Sequence, residues 1–365
     1  MEVAIDQPAV DAVVRQFDLP GECVSALPFG NGHINDTYRV VCLDQGREVR
    51  AILQRINTHI FRDPAALMSN IERVTGHLAA QVAGFPDAER RVMRLIPTRT
   101  GARWLHDADG GCWRAYNFIE DATSFDNITS TAQAFQAARA FGLFQCHLAT
   151  LPEPRLFDTI PDFHHTPKRF AALEAAIEAD GSNRAQSVRA EIDFALARKP
   201  IASRLLDLGL PERVTHNDTK LNNVLLCNTT GEGLCVVDLD TVMPGLALYD
   251  FGDMIRTTTN PAAEDETDLS QVQVVFPMFE ALVRGYLETA GGFLTREEKA
   301  QLAFSGQLIT FEIAIRFLTD HLNGDTYFKI HHPGHNLDRA RSQFRLLELL
   351  EQQHDAMHRM VESLD

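Results

Sequence analysis

Basic runs are missing from this chain. Lys and Arg total 34 against 50 Asp and Glu, for a formal net charge of −16. No stretch clusters the cations that displace counterions from a phosphate backbone, which argues against a nucleic-acid partner. Net charge does not choose among small ligands. Cysteine is also sparse and unpatterned: Cys23, Cys42, Cys112, Cys146, Cys227 and Cys235 form no Cys-x-x-Cys pair and no disulfide framework. Reduced thiols in a cytoplasmic protein are the expectation. No basic leader followed by an apolar stretch comes after Met1, and no apolar run reads as long enough to span a bilayer, so neither secretion nor a membrane partner is expected. His164-His165 and His331-His332-Pro333-Gly334-His335 lie in Pro-containing stretches without cysteine partners and read as loop histidines, not zinc ligands.

What is present is an ordinary globular composition, 45% hydrophobic and 23% charged, over 365 residues, enough for two lobes. The most specific pattern lies in the second half. His216-Asn217-Asp218 is followed by Asn223, then by a turn at Gly231-Glu232-Gly233 and an apolar strand, Leu234 to Val237, ending in Asp238-Leu239-Asp240. A carboxylate to take the proton of an acceptor hydroxyl, an amide oxygen and a second carboxylate to hold Mg²⁺ are the parts that phosphoryl transfer from ATP requires. Asp218, Asn223 and Asp238 supply them in the order of kinase motifs. Asp240, two residues past Asp238 on the same strand, would share its face and also approach the metal. Lys220 sits beside Asp218 and is placed to neutralise the transferring phosphoryl group.

The first half reads as a small antiparallel sheet with one helix. Strands over 24–29 and 37–43 flank Gly30-Asn31-Gly32, either a plain hairpin turn or a loop whose N–H groups cover phosphates. It lacks the Gly-Lys-Ser/Thr ending of a P-loop and leads into a strand, which excludes the Walker and Rossmann readings. The following strand, 48–54, has no lysine where a kinase carries its phosphate-binding one; Gln54 and Arg55 occupy the place. A helix from about Pro64 sets Leu67, Ile71, Val74 and Leu78 on one face. Glu72 on another face either braces a phosphate-binding residue or is a solvated carboxylate. Strands over 92–96 and 112–119 complete the sheet. The chain then turns helical from Ser130, so 118–121 reads as a hinge in which Phe118, Ile119 and Glu120 either offer backbone groups to adenine or simply end a strand. The division predicted is 1–117, a nucleotide lobe; 118–121, the hinge; and 122–365, a catalytic and substrate lobe. Near the end, Leu308 to Leu322 is apolar on almost every side except for Glu312, Arg316 and Asp320 at i, i+4, i+8, a stripe that faces either water or a polar cavity.

These residues resemble the aminoglycoside phosphotransferase and choline kinase superfamily. Within it, four longer blocks, Gly30 to Asn35, Thr215 to Asn223, Asp238 to Gly245 and Asp250 to Asp253, look like the N-acetylhexosamine 1-kinase family, as do Ile315 to Leu318 and Gly324 to Phe328. The resemblance implies an α+β, bilobal protein-kinase-like fold, with a small antiparallel-sheet N-lobe carrying one helix and a larger, mainly helical C-lobe. It implies MgATP-dependent phosphorylation of the anomeric hydroxyl of N-acetylglucosamine or N-acetylgalactosamine. Asp218 would be the catalytic carboxylate, Asn223 and Asp238 metal ligands, and His33, Asn35, Arg316 and Tyr327 substrate-binding residues. Asp250 would brace the catalytic loop. Partners would be ATP and a sugar; oligomeric state is not readable. A kinase for another hydroxyl of an amino sugar or an aminoglycoside, and a nucleotide-binding pseudokinase, remain as alternatives.

Overall fold

The computed structural model describes residues 7–30, 34–126 and 129–364. The chain forms two compact units, one built from Met1–Ala122, Leu151–Ile160 and Leu234–Val242, the other from Thr123–Thr150, Pro161–Gly233 and Met243–Asp365. The first unit is thus not one continuous stretch: the segment carrying Asp238 and Asp240 belongs to it.

In the first unit, α1 (Gln7–Val14) precedes β1 (Glu22–Pro28), β2 (Asp36–Asp44), β3 (Arg47–Ile56), α2 (Pro64–Val82), β4 (Leu95–Ile96), β5 (Leu105–His106) and β6 (Cys112–Asn117). The strands make an antiparallel sheet in the order β1-β2-β3-β6-β4, with β5 also on β6. Alternation on β2 sends Tyr38, Val40 and Cys42 inward, opposite Leu53, Ala51 and Val49 of β3. Phe17, Leu19 and Trp113 close that core. Helix α2 starts as its sequence dictates, with Asp63 Oδ1 accepting from Ala66 N and Pro64 in the first turn. Leu67, Ile71, Val74 and Leu78 are buried. Of the strand expected over 92–96, only Leu95–Ile96 pairs. Cys23 and Cys42 lie opposite each other on β1 and β2 and are joined as a disulfide. That corrects the expectation of six free thiols; Cys112, Cys146, Cys227 and Cys235 are free.

After β7 (Ala122–Thr123), the second unit is mainly helical: α3 (Thr131–Leu148), α4 (Thr166–Ala179), α5 (Arg189–Ala197) and α6 (Arg204–Asp207) lead to the short strands β8 (Arg213–Thr215) and β9 (Val224–Cys227). Strand β10 (Gly233–Val236) runs into the first unit, and the chain returns through β11 (Met243–Gly245), α7 (Ala247–Thr258), α8 (Phe276–Ala290), α9 (Arg296–Ala300), α10 (Leu302–Leu322) and α11 (His335–Glu362). Helix α10 is the spine. It packs on α4, α7 and α11 and buries Phe311, Ile315 and Leu318. Gly252 of α7 permits that approach, since a Cβ there would fall 2.4 Å from the Ser305 carbonyl oxygen. By length and composition α10 could cross a membrane, contrary to the expectation that no such run exists, but 83% of its apolar window is buried inside the protein.

Candidate active site

The loop leaving β8 carries the expected carboxylate. Strands β8 and β11 pair Thr215 with Met243, and Thr215 Oγ1 donates to Met243 O (3.1 Å) and to Asn217 Oδ1 (3.0 Å). Asn217 is then forced into the left-handed region at φ 65°. Asp250, in the first turn of α7 and fully buried, holds the loop in place: its Oδ2 accepts from His216 N (2.9 Å) and Gln145 Nε2, and its Oδ1 from Asn217 N (2.7 Å). Thr219 Oγ1 donates to the Asp250 carbonyl oxygen (2.6 Å). Burial pushes the Asp250 carboxyl up, against the pull of the His216 imidazole and these donors. Three hydrogen bonds thus tie Asp250 to the loop, the arrangement a bracing role requires, and Gln145 of α3 adds a fourth to its carboxylate. The His216 ring packs edge-on against Phe141 and Phe144 of α3, and its Nδ1 accepts from Asp218 N (3.3 Å).

Asp218 is half-buried with Lys220 Nζ 3.1 Å from its Oδ1. Burial alone would raise its carboxyl, but Lys220 and His216 outweigh that and hold it below the usual carboxylate range. Lys220 is correspondingly raised, chiefly by Asp218. Asn223 donates its Nδ2 to the Asp218 carbonyl oxygen (2.8 Å) and to Asp218 Oδ2 (3.2 Å), which leaves its amide oxygen as the donor atom for a cation. Nearby in α7, buried Arg256 ties Asp253 (2.8 Å) to Glu264 (2.8 Å). Asp253 is thus engaged as an ion-pair partner.

In the first unit, Asp238 is left-handed at φ 59°, and Leu239–Thr241 forms a 3₁₀ turn instead of continuing the strand. The argument that Asp238 and Asp240 share a strand face therefore fails. Asp240 is buried, and both its oxygens are taken: Oδ1 by Arg114 Nη1 (2.6 Å) and Oδ2 by Asn35 Nδ2 (2.6 Å). Its carbonyl oxygen accepts from Thr159 Oγ1 (3.0 Å). Nearly two turns inside α2, Asn70 Nδ2 donates to the Val242 and Phe157 carbonyl oxygens (3.3 and 2.8 Å). The segment after Asp238 is thus held by Arg114, Asn35, Thr159 and Asn70. Of these, only Asn35 was singled out in the sequence, and there as a sugar contact. Its Oδ1 accepts from Asn57 N (2.9 Å), so both ends of the amide are used within the unit.

Gln54, at the place where a kinase carries its strand lysine, belongs to the same network. Gln54 faces Arg114 across β3 and β6, its Oε1 accepting from Arg114 Nε (3.0 Å) and Nη2 (2.8 Å) while its Nε2 donates to Thr37 Oγ1 (3.1 Å). Gln54 therefore orients Arg114, which differs from the phosphate contact expected of it. Arg55, on the opposite face, is exposed beside the Trp113 ring (5.9 Å). Glu72 is also exposed and pairs with Arg103 (3.3 Å), not with a phosphate-binding residue. Gly30 closes β1 at φ 78°, a conformation that favours glycine; Asn31, Gly32 and His33 lie outside the described residues. At 118–120, Phe118 stacks under Arg50 (4.7 Å), Glu120 pairs with Arg50, and the Glu120 carbonyl oxygen accepts from Arg90 Nε (3.0 Å).

The charged stripe of α10 is not self-paired, and two of its three members, Glu312 and Asp320, are buried while Arg316 is half-buried. Glu312 is fully buried, bonded to His164 Nδ1 (2.8 Å) and Thr166 Oγ1 (2.6 Å). Asp320 accepts from the backbone N–H of Thr326 (2.9 Å), Tyr327 (2.8 Å) and Phe328 (2.9 Å), fixing the loop that presents Tyr327, 62% exposed. Arg316 lies between the Phe163 (5.4 Å) and Phe328 (5.6 Å) rings, and among the described residues no acceptor meets its guanidinium. Two histidines read as loop residues prove to be buried: His164, and His335, which bonds Asp265 (2.8 Å).

Among the described residues no group of three or more His, Cys, Asp or Glu side chains could hold a metal. The Asn223 amide oxygen in the second unit and the Asp238 carboxylate in the first are each a hard oxygen ligand of the kind Mg²⁺ takes, an ion that keeps several waters and is bound largely through substrate phosphates.

An antiparallel-sheet N-terminal region joined to a helical C-terminal region is the protein-kinase-like fold, and solved structures bear this out. A microcompartment-associated aminopropanol kinase superposes with TM-score 0.60 at 17% identity, covering 97% of this chain and 99% of its own. An aminoglycoside phosphotransferase from Alicyclobacillus acidocaldarius gives 0.62 at 14% (100% and 98%), and a spectinomycin phosphotransferase in complex with ADP and spectinomycin 0.54 at 13% (97% and 99%). At such identities they establish the fold. Residues 25–288 match the phosphotransferase enzyme family (APH), and the chain belongs to that family.

Proposed function

We propose that the protein transfers the γ-phosphoryl group of ATP to the anomeric hydroxyl of N-acetylglucosamine or N-acetylgalactosamine, releasing ADP and the sugar 1-phosphate. The observation that carries the kinase reading is Asp218, kept ionised by Lys220 and fixed by a loop bonded to Asp250. Asp218 accepts the hydrogen bond of the attacking hydroxyl as the new O–P bond forms and the bond to the β-phosphate oxygen breaks. A loose transition state asks for orientation more than base strength, so a weakly basic carboxylate suffices. Lys220 offers its charge to the transferring group. Asp238 and Asn223 would hold Mg²⁺, which when bound neutralises phosphate charge. The backbone at Phe118, Ile119 and Glu120 would meet the adenine edge.

The sugar reading rests on the resemblance of the longer sequence blocks and is supported by Arg316, a guanidinium with unspent donors between two aromatic rings, as a neutral polyhydroxyl ligand requires. A polycationic aminoglycoside is opposed by the same site, where burial and then the nearby Arg316 guanidinium disfavour the charge of Arg169. An ATP-consuming reaction of this kind is assigned to the cytoplasm. Phosphorus-31 NMR after incubation with MgATP and each N-acetylhexosamine tests the proposal. A sugar 1-phosphate coupled to the anomeric proton is expected; a 6-phosphate or no sugar product would remove it. Lys220→Ala is expected to lower kcat by about a hundredfold, read in the same assay; unchanged turnover would strike Lys220 from the mechanism.

A further inference from the structure

The catalytic loop is gripped from a second side. His164 is buried, with Nδ1 2.8 Å from Glu312 Oε1 and Nε2 3.0 Å from the carbonyl oxygen of Asn217, the left-handed residue directly before Asp218. A carbonyl oxygen only accepts, so Nε2 carries a proton; an ionised Glu312 likewise only accepts, so Nδ1 carries one too. We infer that His164 and Glu312 are positioning residues for phosphoryl transfer: an imidazolium–carboxylate pair that pins the Asn217 carbonyl and so joins the helix bearing Arg316 to the loop bearing Asp218. The inference rests on Asp218 being the catalytic carboxylate.

The surroundings favour the charged pair. Glu312 lies one helical turn before Arg316 on α10, and Thr166 of α4 donates to its other oxygen. The groups facing His164 are Glu312 and Arg316 of α10, the Tyr249 ring of α7 at 5.2 Å, and Phe163. Burial works against the imidazolium, but Glu312 together with the Asn217 carbonyl outweighs burial and the opposing Arg316, and His164 is raised above its ordinary value. Burial works against the Glu312 carboxylate in the same way, and His164, with Arg316 and Thr166, outweighs it, so Glu312 is lowered. The sign follows. The His164 contribution is complete below the unfolded imidazole value and is lost as pH rises through the raised one; the Glu312 contribution is present above the unfolded carboxylate value and is lost as pH falls through the lowered one. The grip is therefore complete between the unfolded carboxylate and the unfolded imidazole values, and it loosens as pH rises through the raised value of His164.

Glu312→Gln keeps the shape and removes the charge that sustains the imidazolium. In the full chain, with MgATP and the acceptor, it is expected to lower kcat at neutral pH by about tenfold or more, leave KM for ATP nearly unchanged, and move the alkaline limb of kcat down by about one pH unit. A variant that melts earlier yet keeps wild-type kcat and pH profile overturns the inference, because packing alone would then explain the pair. Should the variant fail to fold, ¹⁵N-resolved imidazole resonances of wild-type protein decide: two ring N–H signals for His164 at neutral pH support the pair, and one overturns it. Asp218→Asn run in parallel separates the two readings. If it stays active, the assignment of Asp218 fails and the inference with it; if it is inactive while Glu312→Gln is unaffected, the inference alone fails.

Discussion

Asp218→Asn should reduce kcat by about a thousandfold or more, the upper part of the range for a positioned acid or base, while KM for ATP changes little. The substitution is isosteric and leaves intact the bond from Asn223 to the Asp218 carbonyl oxygen and those from Asp250 to the preceding N–H groups. What it removes is the anionic acceptor for the substrate hydroxyl. It also leaves Lys220 without its 3.1 Å partner. Because Lys220 is nearly half exposed and Asp218 about a quarter, that pair stabilises the fold by no more than about 1 kcal/mol. The expected signature is therefore a large loss of turnover with a melting temperature close to wild type. A kcat within about tenfold of wild type would rule out Asp218 as the group that orients the acceptor.

The loop around Asp218 was legible because its determinants are local: His216, Asp218, Lys220 and Asn223 contact one another across at most a few residues. Helix α2 was legible for the same reason, its cap and apolar face being written within one segment. Residues whose partners lie far along the chain were not. His164 meets Glu312 at a separation of 148 residues, and Asn70 meets Val242 at 172. Nothing local distinguishes such a histidine from one in a solvated loop. Pairing also reversed some assignments: Gln54, Asn35 and Asp240 carry the polar atoms a ligand would use, but the fold satisfies those atoms itself. The disulfide escaped because cross-strand register, not the sequence interval of 19, brings Cys23 to Cys42. One signal for the Arg114 network was available. Cys112-Trp113-Arg114-Ala115-Tyr116 is a strand buried at every position, and an arginine inside it must find an anion.

That arginine supports the second large prediction. Arg114→Met is expected to destabilise the protein by about 3–5 kcal/mol, the cost of leaving one member of a buried ion pair uncompensated. Arg114 and Asp240 are each almost completely buried, and their side chains meet at 2.6 Å. Burial disfavours the guanidinium, but Asp240 outweighs this and raises it, with Tyr116 and Asp238 adding in the same direction. Removing it strands the Asp240 carboxylate with Asn35 as its remaining side-chain donor and frees Gln54 Oε1 of both its contacts. Arg114→Met/Asp240→Asn should recover part of the loss, since the orphaned charge is then gone and the amide can still meet Asn35. Urea unfolding of the two variants and wild type measures both effects. If the single variant lost less than about 1 kcal/mol, the pair would be energetically idle and the segment after Asp238 would depend on Asn70 and Thr159 instead. The pair's position gives stability a functional reach. Asp240 stands two residues beyond Asp238, whose left-handed backbone persists only where the surroundings over-determine it. Loosening Asp240 should therefore let Asp238 relax.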